Sequence, residues 1–169
     1  MTGLRGDIRN NQKQVLVIGV GNAYRSDDAV GLIAARRIEE KGFPNVRVVK
    51  ESGEGTALIE LWKDADAVIM FDSVQSDAAP GSIHRFEPGA QPVPQDYFRY
   101  STHLFGVGEA IELARVLKRL PPRLVVYGIR GKNLSMGIGL SPEVEEAVPE
   151  IVERAVRDIA AIGTAKQTH

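Results

Sequence analysis

The most informative absence from this 169-residue sequence is cysteine, which does not occur at all. Without cysteine the chain has no disulfide framework, no thiolate metal cluster and no cysteine nucleophile, and this fits a reducing cytoplasm. An excess of one charge is also lacking, because 21 Lys and Arg balance 22 Asp and Glu to a formal net charge of −1. This balance provides no general attraction to nucleic acid or to an anionic membrane.

Long apolar runs are lacking as well. No stretch reaches the roughly 18 apolar residues of a membrane-spanning helix, and residues 1–14 are polar, without the apolar segment of a signal peptide. We therefore expect one soluble domain with a single core. Residues 1–13 and 163–169 are expected to be flexible tails.

The stretch VLVIGVGNAYRSDDAVG, residues 15–31, contains the strongest local signals. Its first four residues are apolar and mostly β-branched, which is typical of a strand buried on both faces of a parallel sheet. A glycine-containing turn follows, and Asp27 and Asp28 come directly before an apolar pattern of helical spacing. Carboxylates are thus predicted at the carboxyl end of a central strand, where open α/β sheets form ligand sites.

The rest of the chain alternates between strand and helix patterns. Helices are predicted around 30–38, 58–62, 101–117 and 141–159, and strands at 15–18, 46–49, 67–71 and 124–129, with a shorter edge strand at 82–86. This alternation predicts a three-layer α/β/α fold of the phosphorylase/hydrolase-like kind. Helices cover both faces of a mostly parallel sheet of about five strands, which has one antiparallel edge strand.

Two details of the predicted helices bear on the site. Ser101 and Thr102 are predicted to cap the third helix, and Ser141 to cap the last helix with Pro142 at its first position. Pro149 is expected to kink or split that last helix. The long segment before the third helix contains prolines and ends in an aromatic cluster. Loops of this length are often functional, and the aromatic side chains are expected either to anchor the loop or to contact a protein. The aromatic residues are Tyr97, Phe98 and Tyr100.

Three side chains of metal-binding type fall on the predicted carboxyl edge of the sheet. Asp28 follows the first strand, Asp72 ends the third, and His103 lies in the first turn of the third helix. Two carboxylates and one imidazole are a suitable ligand set for a divalent metal ion, and they leave positions open for water or substrate. The structural alternatives are that an aspartate caps a helix or turn and that the histidine is simply solvated or packed.

Motifs spread over most of the chain carry a family resemblance. They are the opening stretch VLVIGVGNAYRSDDAVG, then VIMFDSV, APGSIHRF, STHLFGVGEAI, LVVYGIRG and GLSPEVEEAVPEIV. Together they resemble the hydrogenase maturation proteases, whose opening signature is a strand, a Gly-x-Gly-Asn turn and an acidic pair. The glycines do not indicate a dinucleotide site, because Tyr24 replaces the third glycine of that fingerprint and two acids would repel a pyrophosphate.

The resemblance implies a cytoplasmic, aspartic-type endopeptidase that removes the C-terminal extension from the large-subunit precursor of a nickel–iron hydrogenase. It implies that cleavage follows nickel insertion and that the nickel presented by the precursor is recognised, with another divalent metal as the alternative. The family's metal-contacting positions map onto Asp28, Asp72 and His103, which are therefore expected to be both catalytic and metal-contacting. Neither nucleic acid nor a membrane is an expected partner.

Some positions depart from the family pattern, and alternative hypotheses stay open. The second acid is Asp28 where some members have glutamate, and Ala29 replaces a common glycine. The loop 51–56 differs from an Asp-Gly-Gly-Thr-like stretch and adds Glu51 and Glu54 near the predicted site. These differences are compatible with a divergent branch that acts on another precursor.

The alternatives belong to three classes. Asp28 or Asp72 acting as a general base without metal catalysis requires a raised carboxylate pKa. A metal-binding or chaperone module for hydrogenase assembly would bind a precursor without cutting it. A peptidyl-tRNA hydrolase-like esterase shares the opening strand and turn, but the histidine that such enzymes carry shortly after that turn is missing.

Overall fold

The computed structural model describes residues 12–98 and 103–164, and within them five strands form one sheet. The strands are β1 (Val15–Val20), β2 (Val46–Glu51), β3 (Ala67–Val74), β4 (Ile83–Phe86) and β5 (Arg123–Arg130). Their order is β2-β1-β3-β5-β4, with all neighbours parallel except β4, which pairs antiparallel with β5. The predicted sheet, including its antiparallel edge, is confirmed.

In residues 12–98 and 103–164, four α-helices cover the two faces of this sheet. They are α1 (Val30–Glu40), α2 (Gly55–Trp62), α3 (Val107–Val116) and α4 (Pro142–Thr164). Alternate residues of β3 point to opposite faces: Ile69 and Phe71 pack with α1 and α4, whereas Val68 and Met70 pack with α2 and α3. The three-layer prediction is therefore confirmed. None of the helices in the described part of the chain combines the length and apolarity needed to cross a membrane.

The predicted start of the third helix is wrong. Helix α3 begins at Val107, so His103 lies in an irregular bend before the helix rather than in its first turn. At the N-cap, the Gly106 backbone N–H donates to the Glu109 carboxylate at 3.2 Å, which is one half of a capping box and favours a first turn that begins at Val107. Leu104, predicted on the buried face, is fully exposed. The predicted caps at 101–102 lie outside the described residues.

Helix α4 begins at Pro142 as predicted and is not split by Pro149, which lies inside it. The Ser141 hydroxyl does not cap the helix but donates to the Asp27 carboxylate. The helix continues through Thr164 because Ile162 is buried against the core and anchors the last turn. The predicted C-terminal tail is thus wrong for its first two residues. Residues 1–11 and 165–169 lie outside the described residues.

Gly31 allows α1 to approach the sheet closely, and this contact yields a stability prediction. A Cβ at this position would stand 2.5 Å from the Phe71 carbonyl oxygen and closer still to that of Val20. We expect Gly31→Ala to lower the free energy of unfolding by about 1–3 kcal/mol, since backbone atoms would have to move. Urea unfolding measures the change. Gly89→Ala is the matched control, because nothing lies within 4 Å of its added Cβ, and an equal loss in both variants would contradict the prediction.

Candidate active site

A small polar pocket lies where β1 and β3 approach their carboxyl ends. Gly21, Asp28 and Asp72 line it, together with Gly53 from the loop after β2. The cavity measures about 40 Å³, which is room for an ion and a water molecule but not for a polypeptide segment. The position is the one at which parallel α/β sheets form ligand sites.

The Asp28 carboxylate is held in place by two hydrogen bonds. The Asn22 backbone N–H donates to Oδ2 and the Ser73 hydroxyl donates to Oδ1, each at 2.8 Å. Gly21 precedes Asn22 with φ of 152°, and a Cβ there would collide with the Asp28 carbonyl oxygen. The Gly-x-Gly-Asn turn therefore serves to position Asp28.

Asp72 is almost completely buried, with 8% of its surface exposed. It lies inside β3 opposite Gly128 of β5, two residues before the end of the strand rather than at its end as predicted. Burial raises the pKa of Asp72 well above its usual value, and the neighbouring Asp28 carboxylate raises it further, against a hydrogen bond from the Ser73 backbone. Asp72 consequently retains a proton at pH values where an exposed aspartate is ionised.

His103 lies at the edge of the pocket next to Gly53. A Cβ on Gly53 would be 3.9 Å from Cδ2 of the His103 ring. Two backbone hydrogen bonds, from Thr56 and Ala57, lower the pKa of Glu54, and the nearby His103 lowers it further. The imidazole is therefore close both to Gly53, which lines the pocket, and to the acidic side chain of Glu54.

The structure brings Asp28 and Asp72 into one pocket and places His103 beside it. Among residues 12–98 and 103–164, no three His, Asp or Glu side chains stand close enough together to hold a metal ion. In the free protein these residues do not form a closed three-ligand site. A site that lacks some of its metal ligands suits a metal ion that is already bound to ligands from another molecule. Their role as metal ligands stays a prediction.

The adjacent Asp27 has a structural role instead. It is fully buried and accepts hydrogen bonds from the backbone N–H groups of Lys132, Asn133 and Ser141 at 2.7–2.8 Å, and from the Ser141 hydroxyl. Burial alone would raise the pKa of Asp27, but these hydrogen bonds together lower it. Neither Asp27 nor Asp28 occupies a helix N-cap position, so the interpretation of either as a cap is wrong.

The extra carboxylates of the loop after β2 do not line the pocket. Glu54 is the N-cap of α2 and accepts from the backbone of Thr56 and Ala57 at 3.0 and 2.9 Å. Glu51 ends β2, and its carbonyl accepts from the Gly21 backbone at 3.0 Å. Both residues therefore help to shape the turns around the pocket.

Several residues that line the pocket were not among the predicted site residues. Ser73, which fixes Asp28, was missed, although a hydroxyl directly after Asp72 on a strand is a readable signal. Tyr97 and Phe98, from the aromatic cluster expected to anchor the loop or to contact a protein, also line the pocket. Tyr97 packs against His84 and Phe86, with ring centroids 5.0 and 5.3 Å apart. Tyr100 lies outside the described residues.

Known proteins are similar to this chain in sequence. Residues 30–158 match the family model described as hydrogenase maturation protease, a range that begins just after Asp28. The chain is 27% identical over 153 residues to the hydrogenase expression/formation protein HupD of Thiocapsa roseopersicina, covering 89% of this chain and 69% of HupD. It is also 27% identical over 156 residues to the hydrogenase 2 maturation protease of Escherichia coli K12, covering 89% and 93%.

Solved structures give the same result. The hydrogenase maturating endopeptidase HybD of E. coli superposes with a TM-score of 0.74 at 22% identity, covering 89% of this chain and 94% of HybD, which shows the common fold. The nickel–iron hydrogenase maturation protease HybD of Thermococcus kodakarensis has a TM-score of 0.63 at 27% identity, covering 86% and 99%.

The chain has the fold of known endopeptidases, and two aspartate side chains share a pocket at the edge where its parallel strands end. These features define it as a peptidase. The chain belongs to the hydrogenase maturation protease family. Its role is that of an endopeptidase in hydrogenase maturation, so the non-proteolytic and esterase hypotheses are not favoured.

Proposed function

We propose that this peptidase removes the C-terminal extension of a nickel–iron hydrogenase large-subunit precursor after nickel insertion. The observation that carries the proposal is the pair Asp28 and Asp72 in one small pocket, with Asp72 buried and proton-retaining. The names of the relatives, a hydrogenase 2 maturation protease among them, support the choice of substrate. The reaction takes place in the cytoplasm, and the cysteine-free composition is in keeping with this compartment.

In this proposal nickel is part of the substrate. A divalent cation that enters the pocket offsets the repulsion between the Asp28 and Asp72 carboxylates, so Asp72 gives up its proton as the cation arrives. His103, at the pocket edge, supplies the third contact. Because these groups form no closed site without the cation, the precursor itself completes the site. Unloaded precursor is therefore a poor substrate.

The chemistry is hydrolysis of one peptide bond. Nickel polarises the scissile carbonyl or activates the attacking water. Asn22 and Ser73 keep the Asp28 carboxylate oriented, so that no reorganisation is needed when charge develops. In this proposal Asp72 takes a proton from the attacking water and gives it to the amine that leaves. With the metal in a purely structural role, the same two carboxylates would serve as general base and acid.

The test is a comparison of nickel-loaded and nickel-free precursor, each incubated with the purified chain and measured by intact mass. We expect shortening of the loaded precursor alone. His103→Ala and Asp28→Asn should slow this cleavage by about 10²-fold or more, because each removes a group at the reacting centre. Asp64→Asn, at an exposed aspartate outside the pocket, is the matched control and should cleave normally.

Each part of the proposal has its own contrary result. Equal shortening of both precursors would remove nickel from the mechanism. Undiminished cleavage by His103→Ala would remove that residue. Binding of precursor without any loss of mass would replace the peptidase with an assembly chaperone.

A further inference from the structure

Three large apolar side chains are exposed on two segments that border the pocket. Tyr24, Met136 and Ile138 are 65%, 77% and 85% exposed, and we call them the rim patch. Arg25, which follows Tyr24, and Leu134, two residues before Met136, line the pocket itself. The rim patch is therefore continuous with the active site.

The two segments are fixed to each other by backbone hydrogen bonds. Arg25 and Gly137 form a parallel bridge, in which the Gly137 N–H donates to the Tyr24 carbonyl at 2.9 Å and the Ser26 N–H donates to the Gly137 carbonyl at 3.0 Å. This register places Tyr24 at the position beside Met136. The Ser26 hydroxyl adds a bond of 2.8 Å to the carbonyl of residue 135. The backbone that carries the rim patch is thus fixed by hydrogen bonds between the two segments.

The buried Asp27 carboxylate also anchors the loop that carries Met136 and Ile138. Asp27 accepts backbone hydrogen bonds from Lys132 and Asn133 at one end of the loop and from Ser141 at the other. A loop that is tied down at both ends has already lost the conformational entropy that binding would otherwise cost. Apolar side chains that such a loop holds out in water mark an interaction surface.

The chemistry of the loop indicates the kind of partner. Residues 134–140, LSMGIGL, carry no charged side chain, so the surface suits an apolar patch rather than a charged one. The pocket, at about 40 Å³, is too small to bind a protein by itself. Affinity for a protein substrate must come from surfaces outside the pocket, and the rim patch adjoins it.

We propose that the rim patch is the docking surface for an apolar patch on the folded hydrogenase precursor, next to the extension that is cut. This inference rests on the proposed function and adds the surface by which the substrate is held. Docking at the rim patch brings the scissile bond to Asp28 and Asp72. Tyr24, Met136 and Ile138 are recognition residues, and they leave the chemical step unchanged.

The test uses the double variant Met136→Ser/Ile138→Ser in the full chain, with nickel-loaded precursor as the probe. We expect the dissociation constant and KM for the precursor to rise about 10- to 100-fold, while kcat at saturation changes less than twofold. The control is Leu113→Ser/Val116→Ser, which removes two other exposed apolar side chains. They lie toward the far end of α3, about 9 and about 13 Å along the helix from Val107 at the pocket.

Further measurements distinguish the loss of a docking surface from a loss of folding. Thermal unfolding shows that the variants are folded, Met136→Leu/Ile138→Leu should restore affinity, and Tyr24→Ser tests the patch from the other segment. Weakened binding in a chain that never shortens the precursor would support the patch and overturn the proposed function. An unchanged dissociation constant would overturn the patch, as would an equal effect of the α3 control. A shift from dimer to monomer in light scattering, with binding unchanged, would assign the patch to self-association instead.

Discussion

Asp72→Asn will lower the rate of precursor cleavage by about 10²–10⁴-fold, the range that a general acid or base contributes. Asparagine has the shape of a protonated aspartate but can neither exchange the proton nor bind a cation as a carboxylate does. Because Asp72 is buried and its pKa is raised, the substitution replaces a neutral group by another neutral group. We therefore expect lost cleavage without lost stability, as followed by intact mass and urea unfolding.

The pH dependence of stability gives a second readout of the same variant. In the folded protein the pKa of Asp72 is raised above its ordinary value of 3.8, so above pH 3.8 the folded state binds more protons than the unfolded state. Stability of the wild type then falls as pH rises from 3.8 through the folded pKa. The amide side chain of the variant cannot titrate, so Asp72→Asn should gain stability relative to wild type as pH increases across this window.

A control and a contrary result complete this prediction. Asp64→Asn, at an exposed position, should change neither cleavage nor the pH profile. If Asp72→Asn destabilises the chain equally at pH 4.5 and pH 8, Asp72 is an ordinary hydrogen-bonding residue. If it cleaves loaded precursor at the normal rate, the carboxyl group has no part in catalysis.

The sheet and its helices follow from local patterns, which explains why they could be predicted. The runs at 15–18, 67–71 and 124–129 are apolar without interruption because their strands are buried on both faces. The edge strand β4 is only partly buried, and its pattern is mixed. The local patterns thus indicate which segments form strands, which of them is the antiparallel edge strand and how deeply each is buried, but not the order of the strands in the sheet. The apolar patterns determine the ends of strands less well. Asp72 is polar, which suggests the end of a strand, yet it lies inside β3.

The site is only partly encoded locally. Asp28 and Asp72 could be placed at one edge because parallel strands share it, but the roles of neighbouring acids could not. Asp27 and Asp28 are adjacent and chemically identical, and the partners that distinguish them are remote. Asp28 bonds to Ser73, which is 45 residues away, and Asp27 to Lys132 and Ser141, more than 100 residues away. Local sequence signals for helices and turns cannot predict contacts between residues that are so far apart in the chain.

His103 shows a different limit. The apolar spacing that begins at Leu104 suggested an early helix start, whereas α3 begins at Val107, directly after Gly106, whose backbone N–H donates to the Glu109 carboxylate. A local polar signal therefore outweighed the apolar periodicity. The displaced helix start leaves His103 in a loop at the pocket edge instead of on a helix.

Asp27→Ala will cause the largest loss of stability, about 3–5 kcal/mol in the free energy of unfolding. The carboxylate is fully buried, and its loss leaves the N–H groups of Lys132, Asn133 and Ser141 without their acceptor. The neighbouring substitution Asp28→Ala is the matched control. It should cost only about 1 kcal/mol, because water can reach the Asn22 N–H at the pocket, yet it should abolish cleavage.

The pH profile of Asp27→Ala should run opposite to that of Asp72→Asn. Hydrogen bonds lower the pKa of Asp27 below its ordinary value of 3.8 despite the opposing effect of burial. Its contribution to stability is therefore complete above pH 3.8 and is lost as pH falls through the folded pKa. The gap between wild type and Asp27→Ala in urea unfolding should narrow in acid. A gap that is small at pH 7, or that widens in acid, would show that Asp27 does not anchor the loop, and the rim patch would then lose its rigid support.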